Sequence, residues 1–209
     1  EHIAAAQKLE WIFVASAGVE KMPAKAITDR GIYVSNVRGI HKKPMTESIL
    51  AHILAIKRNL PAIYKKQEER EWAKNKIKFS ELNGSTALIL GPGAIGQEIG
   101  RILQAFEVYT IGCNTSGESV SYMNETVCMS ELKTALGDAD IVISMLPSTE
   151  KTRGLMTAEH FKLMKETAIF MNFGRGDLVS NDVLAEAIAN NEIGYAVLDV
   201  FEEEPLSAE

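Results

Sequence analysis

Cysteine is scarce in this sequence: Cys113 and Cys128 are the only two in 209 residues. They have no CxxC spacing and no histidine pattern beside them, which argues against a disulfide framework and a metal site and suits a reducing compartment, the cytoplasm. No apolar run approaches the length of a membrane span, and the first residues lack a basic stretch followed by an apolar one, so neither a spanning helix nor a secretory leader is expected. Positive charge is also short. The 22 Lys and Arg face 28 Asp and Glu, a formal charge of −6, and form no compensating cluster. Nucleic acid and membrane surfaces are therefore disfavoured as partners. There is no internal repeat and no low-complexity tract.

What is present is the composition of a folded chain, 46% apolar and 24% charged, enough to bury a core in one full domain with a piece of another. The most informative stretch is LILGPGAIGQEIGRIL, Leu88 to Leu103. Ala87 to Leu90 suits a buried parallel strand, and Ile95, Ile99, Leu103 and Phe106 recur at helical spacing after it. Between them Gly91 can make a tight turn, Gly93 lets backbone approach a pyrophosphate, and Gly96 lets helix pack close to strand, with Ala94 and Ile95 completing the loop. The helix start offers free N–H groups and a positive dipole end to phosphates. A glycine-rich turn can merely close a strand–turn–helix, but the flanking strand and amphipathic helix favour a dinucleotide cradle.

Upstream, WIFVASAGVE (Trp11 to Glu20) and GIYVSNVRG (Gly31 to Gly39) read as two short strands, too few for a domain. Residues 1–38 are therefore expected to belong to a second domain, and 39–209 to form the dinucleotide-binding one. From Pro44, Ile49, Ile53, Ile56 and Leu60 form a stripe that Leu50 and Leu54 widen, predicting a long linking helix over about 44–60, checked at Pro61. The lysine-rich segment after it reads as a solvated connector, with the core starting near residue 86. Beyond the glycine loop the pattern predicts strand 107–112, helix 130–136, strand 140–146, helix 158–165, strand 168–172, helix 181–190 and strand 195–200. This alternation predicts an α/β fold, a doubly wound parallel sheet of the Rossmann type. Gly91 to Gly96, Asn114 to Ser116, Leu146 to Ser148, Asn172 to Arg175 and Asp199 to Glu204 all follow strand C-termini, the edge at which such sheets bind ligands.

The segments SAGVEKMP, GIHKKPMTESILAHILAIKRNLP, LNGSTALILGPGAIGQEIGRIL, ADIVISMLPSTEKTRGLM, MNFGRGDLV and IGYAVLDVFEEEPL occur in the order seen in the D-isomer-specific 2-hydroxyacid dehydrogenases. NFGRG followed by LDVFEEEP resembles that family's signature most specifically. The resemblance implies an oxidoreductase moving a hydride between NAD(P)H and a small 2-oxo acid or D-2-hydroxy acid. It also implies a homodimer and, for residues 1–38, part of a flavodoxin-like substrate domain. Corepressor-like relatives that sense the dinucleotide are the alternative.

The resemblance carries roles to particular residues. Arg175 looks like the arginine that pairs with the carboxylate and ketone oxygens of the substrate and polarises the carbonyl, a task suited to a planar fork. Glu204 looks like the acid that holds the catalytic histidine and raises its pKa. Ala17 and Gly18 would offer backbone N–H groups to the substrate carboxylate, and Asp199 is similar to the residue that contacts the nicotinamide amide. Leu146, Pro147, Thr152, Asn172 and Gly174 are assigned to the cofactor. The family's histidine lies downstream of Glu204, past the last residue given, so the sequence reads as a fragment; His2, His41, His52 and His160 are poor substitutes.

A fold that selects NAD places Asp or Glu after its second strand, where it accepts both ribose hydroxyls and repels a 2′-phosphate. Here Asn114 stands in that place. No Arg or Lys occurs between Asn114 and Ser121, which leaves the Thr115 and Ser116 hydroxyls as candidate contacts. The expected cofactor is NAD or NADP, with a lean towards NADP, and no metal.

Overall fold

Six short strands pair side by side to form the main sheet, and their burial follows from their sequences. The computed structural model describes residues 2–16, 18–19 and 22–206, and the chain divides into units of residues 1–42 and 43–209. In the first, α1 (His2–Ala5), β1 (Trp11–Val14), α2 (Ala24–Thr28) and β2 (Tyr33–Asn36) follow in order. There β1 and β2 pair in parallel, from Trp11 opposite Tyr33 to Val14 opposite Asn36.

The second unit holds α3 (Lys42–Lys57, starting at the boundary), α4 (Leu60–Glu68), β3 (Thr86–Leu90), α5 (Ala94–Ala105), β4 (Tyr109–Asn114), β5 (Glu125–Cys128), α6 (Leu132–Asp138), β6 (Ile141–Ser144), α7 (Ala158–Lys162), β7 (Ile169–Asn172), α8 (Asn181–Ala189) and β8 (Tyr195–Leu198). The sheet order is β5-β4-β3-β6-β7-β8, with every neighbouring pair parallel. The chain builds outward from β3 to β5 on one side, then returns past β3 to begin β6 on the other. Between β3 and β6 lies the topological switch, the place beside which open sheets of this kind bind ligands.

The central strands are continuous apolar runs because both faces are covered. Alternate residues point opposite ways. Leu88, Leu90, Val142 and Phe170 meet Leu136, Phe161 and Leu184 on one face. Ala87, Ile89, Ile141, Ile143 and Met171 meet Ile49, Ile53, Ile99 and Leu103 on the other. Phe161 and Phe170 stack edge to face at 5.2 Å. Buried Glu98 on α5 is held by Lys43 Nζ of α3 at 2.7 Å and Arg101 Nη2 at 2.8 Å, tying α3 to the helix of the glycine loop.

Two elements differ from the sequence pattern. The stripe predicted as one helix over 44–60 is two: Asn59 takes a left-handed backbone (φ 49°) after α3, and Pro61 falls in the first turn of α4, where its missing N–H costs nothing. The β5 strand had no predicted counterpart, because Glu-Thr-Val-Cys is a short, half-exposed edge strand without an apolar run.

Candidate dinucleotide and substrate site

The glycine loop after β3 is built by close approach. Gly91 has φ +80°, and a Cβ there would lie 3.1 Å from Leu146 Cδ2 and 3.3 Å from the Met145 carbonyl oxygen. At Gly96 it would lie 3.0 Å from the Gly91 carbonyl oxygen and 3.1 Å from Ile89 Cγ2. At Gly93 it would meet nothing within 4 Å. Two of the glycines thus let protein pack on protein, while the third faces open space. The first α5 amide with a helical acceptor is Gln97, whose N–H donates to the Gly93 carbonyl at 2.9 Å, so the amides of Ala94, Ile95 and Gly96 lie at the open helix start. An open strip of backbone before a helix N-terminus fits a pyrophosphate.

Contacts carry this loop to its neighbours along the sheet edge. The Gly91 N–H donates to the Cys113 carbonyl at 3.0 Å, which joins it to the end of β4. There Asn114 shapes its own loop: Oδ1 accepts from the Ser116 N–H at 3.0 Å and the Gly117 N–H at 2.6 Å, while Nδ2 donates to the Glu118 carbonyl at 2.9 Å. This is the local turn chemistry of an Asx residue. The amide that sequence position places against the ribose is engaged at both ends by the loop, and Thr115 and Ser116 are exposed. Cys128 Sγ lies 3.3 Å from the Thr115 carbonyl. Its pKa is lowered by hydrogen bonds from Ser130, whereas burial pushes the Cys113 thiol up to about 11.

On the other side of the switch, Thr152 Oγ1 donates to the Pro147 carbonyl at 2.6 Å and closes the turn after β6. Gly174 packs so closely on the Leu146 backbone that any Cβ would overlap it, and Gly176 stands in the same relation to Phe201 and Glu202. Buried Asn172 organises the loop between these glycines: Oδ1 accepts from the Gly174 N–H at 3.2 Å, and Nδ2 donates to the Arg175 carbonyl at 2.8 Å. Half-buried Arg175 also donates from Nη1 to the Gly174 carbonyl at 2.8 Å. The Asp199 N–H continues the ladder to the Asn172 carbonyl at 3.0 Å. Exposed Glu204 accepts the Phe201 N–H at 2.9 Å. The loops after β3, β4, β6, β7 and β8 therefore form one connected rim.

Gly18 lies in the first unit, where its carbonyl accepts from Ser16 Oγ at 2.8 Å; Ala17 lies outside the described residues. His160 Nδ1 accepts the Thr157 N–H at the start of α7 at 3.3 Å and lies 2.9 Å from Thr157 Oγ1, and the His52 ring stands 6.4 Å from that of Phe173. Asp177 bonds Ser148 at 2.5 Å, a link the sequence reading did not single out; its signal was a carboxylate two places after Arg175. Among the described residues no cluster of metal-ligating side chains occurs, and no helix is long and apolar enough to cross a membrane.

Residues 50–209 match the model of the D-isomer specific 2-hydroxyacid dehydrogenase NAD-binding domain. The chain is 33% identical over 201 residues to D-3-phosphoglycerate dehydrogenase of Methanocaldococcus jannaschii, covering 96% of this chain and 38% of that one. Among solved structures, a D-isomer specific 2-hydroxyacid dehydrogenase family protein from Aeromonas salmonicida superposes with a TM-score of 0.87 at 36% identity, covering 99% of this chain and 66% of that one. An NADPH-dependent glyoxylate/hydroxypyruvate reductase from Sinorhizobium meliloti, in complex with NADP and sulfate, gives 0.82 at 28% identity over 96% and 64%. The chain spans about two fifths of the length of the first phosphoglycerate dehydrogenases it matches. It belongs to the D-isomer-specific 2-hydroxyacid dehydrogenase family, with the family's NAD-binding domain in residues 50–209.

Proposed function

We propose that the protein carrying this chain is an oxidoreductase that interconverts a small 2-oxo acid and its D-2-hydroxy acid with NAD(P)H. The observation that carries the reading is the connected rim of five loops with Arg175 in it, Gly91 touching Leu146 and Leu146 touching Gly174. When bound, the reduced nicotinamide supplies the hydride for the substrate carbonyl carbon. Gly91, Gly93, Ala94, Ile95 and Gly96 would hold the pyrophosphate, Leu146, Pro147, Thr152, Asn172 and Gly174 the nicotinamide half, and Asp199 its amide. Arg175 binds the substrate carboxylate and stabilises negative charge on the ketone oxygen as it develops. Glu204 favours the cationic form of the histidine that protonates that oxygen. Residues 1–38 contribute to the substrate domain, with Ala17 and Gly18 on the substrate carboxylate.

The reading extends to NADP, to a homodimer and to a cytoplasmic location. No carboxylate side chain occurs from Cys113 to Gly117, so the position directly after β4 carries no charge that repels a 2′-phosphate, and the Thr115 and Ser116 hydroxyls are accessible to one. Dimerisation is supported by the segment after α4, where Trp72 is 87% exposed beside a groove of about 700 Å³ lined by Ile63, Ile77 and Phe79. Two unpaired cysteines suit the cytoplasm.

The test is turnover of glyoxylate, hydroxypyruvate, pyruvate and phosphohydroxypyruvate by the full-length protein with each reduced dinucleotide, alongside fluorescence titration of both cofactors. Arg175→Lys is expected to lose most of kcat/KM, and near-normal turnover removes Arg175 from the site. Asn114→Asp is expected to shift preference towards NADH; an unchanged ratio means that the ribose is read elsewhere.

A further inference from the structure

We propose that Asp177 is a positioning residue for Arg175, acting with Ser148 and Arg153 as a latch between the loops after β6 and β7. The inference rests on the substrate role proposed for Arg175. Three polar contacts converge on Asp177: Ser148 Oγ donates to Oδ2 at 2.5 Å, Arg153 Nε stands 3.4 Å from the same oxygen, and the Gly154 N–H donates to the Asp177 carbonyl at 2.8 Å. Arg153 Nε also reaches Ser148 Oγ at 3.3 Å. A short O–H···O⁻ bond with a cation beside it is charge-assisted, and it fixes the Ser148 hydroxyl as donor.

The latch lies two residues beyond Arg175, and the residue three before it holds the other side. The Arg175 carbonyl accepts from Asn172 Nδ2 at 2.8 Å and from the Leu178 N–H at 3.3 Å. The Met156 N–H then donates to the Leu178 carbonyl at 3.1 Å, which extends the seam between the loops. Arg175 therefore rides on a short span pinned at both ends, with glycines at 174 and 176 that would otherwise loosen it. Packing alone does not account for Asp177, whose side chain is 39% exposed; truncating it opens no cavity. What truncation removes is the side-chain half of the tether, the bond to Ser148 and the ion pair with Arg153; the backbone links remain. A displacement of about 1 Å in a group that must meet both a carboxylate and a ketone oxygen can cost on the order of 100-fold in rate.

The experiment compares Asp177→Ala, Asp177→Asn, Ser148→Ala and the Ser148→Ala/Asp177→Ala double variant in the full-length protein, on a 2-oxo acid that the wild type turns over. Asp177→Ala is expected to lower kcat/KM for the 2-oxo acid by about 10-fold or more, with dinucleotide Kd within about two-fold. Asp177→Asn keeps an acceptor for Ser148 and falls between. The double variant loses no more than Asp177→Ala, because both changes break one bond. In hydrogen exchange, the amides of residues 174–178 lose protection in Asp177→Ala. The proposal is overturned by an unchanged kcat/KM, by losses at 148 and 177 that multiply, or by a loss lying wholly in dinucleotide affinity. If Asp177→Ala does not fold, Asp177→Asn carries the same readouts. Should the wild type turn over no 2-oxo acid, the functional reading fails; unaltered protection of residues 174–178 in Asp177→Ala would then sink the latch independently.

Discussion

Replacing Gly93 with alanine separates binding from folding at the dinucleotide cradle. The residue has φ −77° and ψ −155°, a backbone that alanine adopts, and a Cβ there would meet nothing within 4 Å. Reduced entropy of the unfolded chain favours the alanine variant by about 0.4–1 kcal/mol. Gly93 is also the N-cap of α5, where alanine is the poorer residue by a similar amount, about 1 kcal/mol at most. The two effects nearly cancel, so Tm should stay within about 4 °C of wild type. If the pyrophosphate lies over Gly93, the added methyl occupies its place, and NADH or NADPH should bind about 10–100-fold more weakly, equivalent to roughly 1.4–2.7 kcal/mol. Gly96→Ala supplies the contrast: its Cβ presses on the Gly91 carbonyl at 3.0 Å, and overpacking of that kind costs about 1–3 kcal/mol of stability. Calorimetry and fluorescence titration of both variants read the two effects apart. Undiminished affinity in a folded Gly93→Ala protein would refute the placement of the pyrophosphate.

Two further outcomes follow from titratable groups. A thiol reagent near neutral pH should modify Cys128 first: burial holds Cys113 at about 11, while Ser130 lowers Cys128 below its ordinary value of 9.0, so their thiolate fractions differ by about 100-fold or more; equal labelling rates in the native protein contradict this. His160 accepts the Thr157 N–H at Nδ1, at 3.3 Å, a bond that needs Nδ1 unprotonated, and burial followed by Lys133 lowers its pKa from 6.5. Because the unfolded ring protonates first, stability should fall as pH drops below about 6.5 towards the lower folded value. His160→Gln keeps a capping side chain at that position and should flatten this part of the pH profile; identical slopes for the two proteins count against the assignment.

How much of this could be read from sequence depends on how far away each residue's partner lies. The glycine loop was legible because its determinants are local, an apolar run, glycines at fixed spacing and a helical stripe, and the comparisons place the same segment in a dinucleotide-binding domain. The break between α3 and α4 was misplaced because Pro61 is the visible signal, whereas the chain turns at Asn59, whose left-handed backbone has only a weak sequence signature. β5 was missed because an edge strand is specified by the neighbour it pairs with, here Ile111 to Asn114 of β4, and not by its own four residues. The rim residues divide by the same rule. Asn172 and Arg175 sit three apart and declare a loop, but Asp177 finds Ser148 across 29 positions, and no local pattern announces such a bond. Asn114 is the opposite case. Its partners are all within four residues, yet position alone suggested a side chain turned to the cofactor. Sequence identifies a polar residue at a strand end, but not whether its own loop already engages both its amide oxygen and its amide nitrogen. A carboxylate at 114 could accept the same Ser116 and Gly117 amides, but it would lose the donor to the Glu118 carbonyl and place a charge beside that oxygen. The Asn114→Asp test therefore probes the stability of the loop as well as the choice of cofactor.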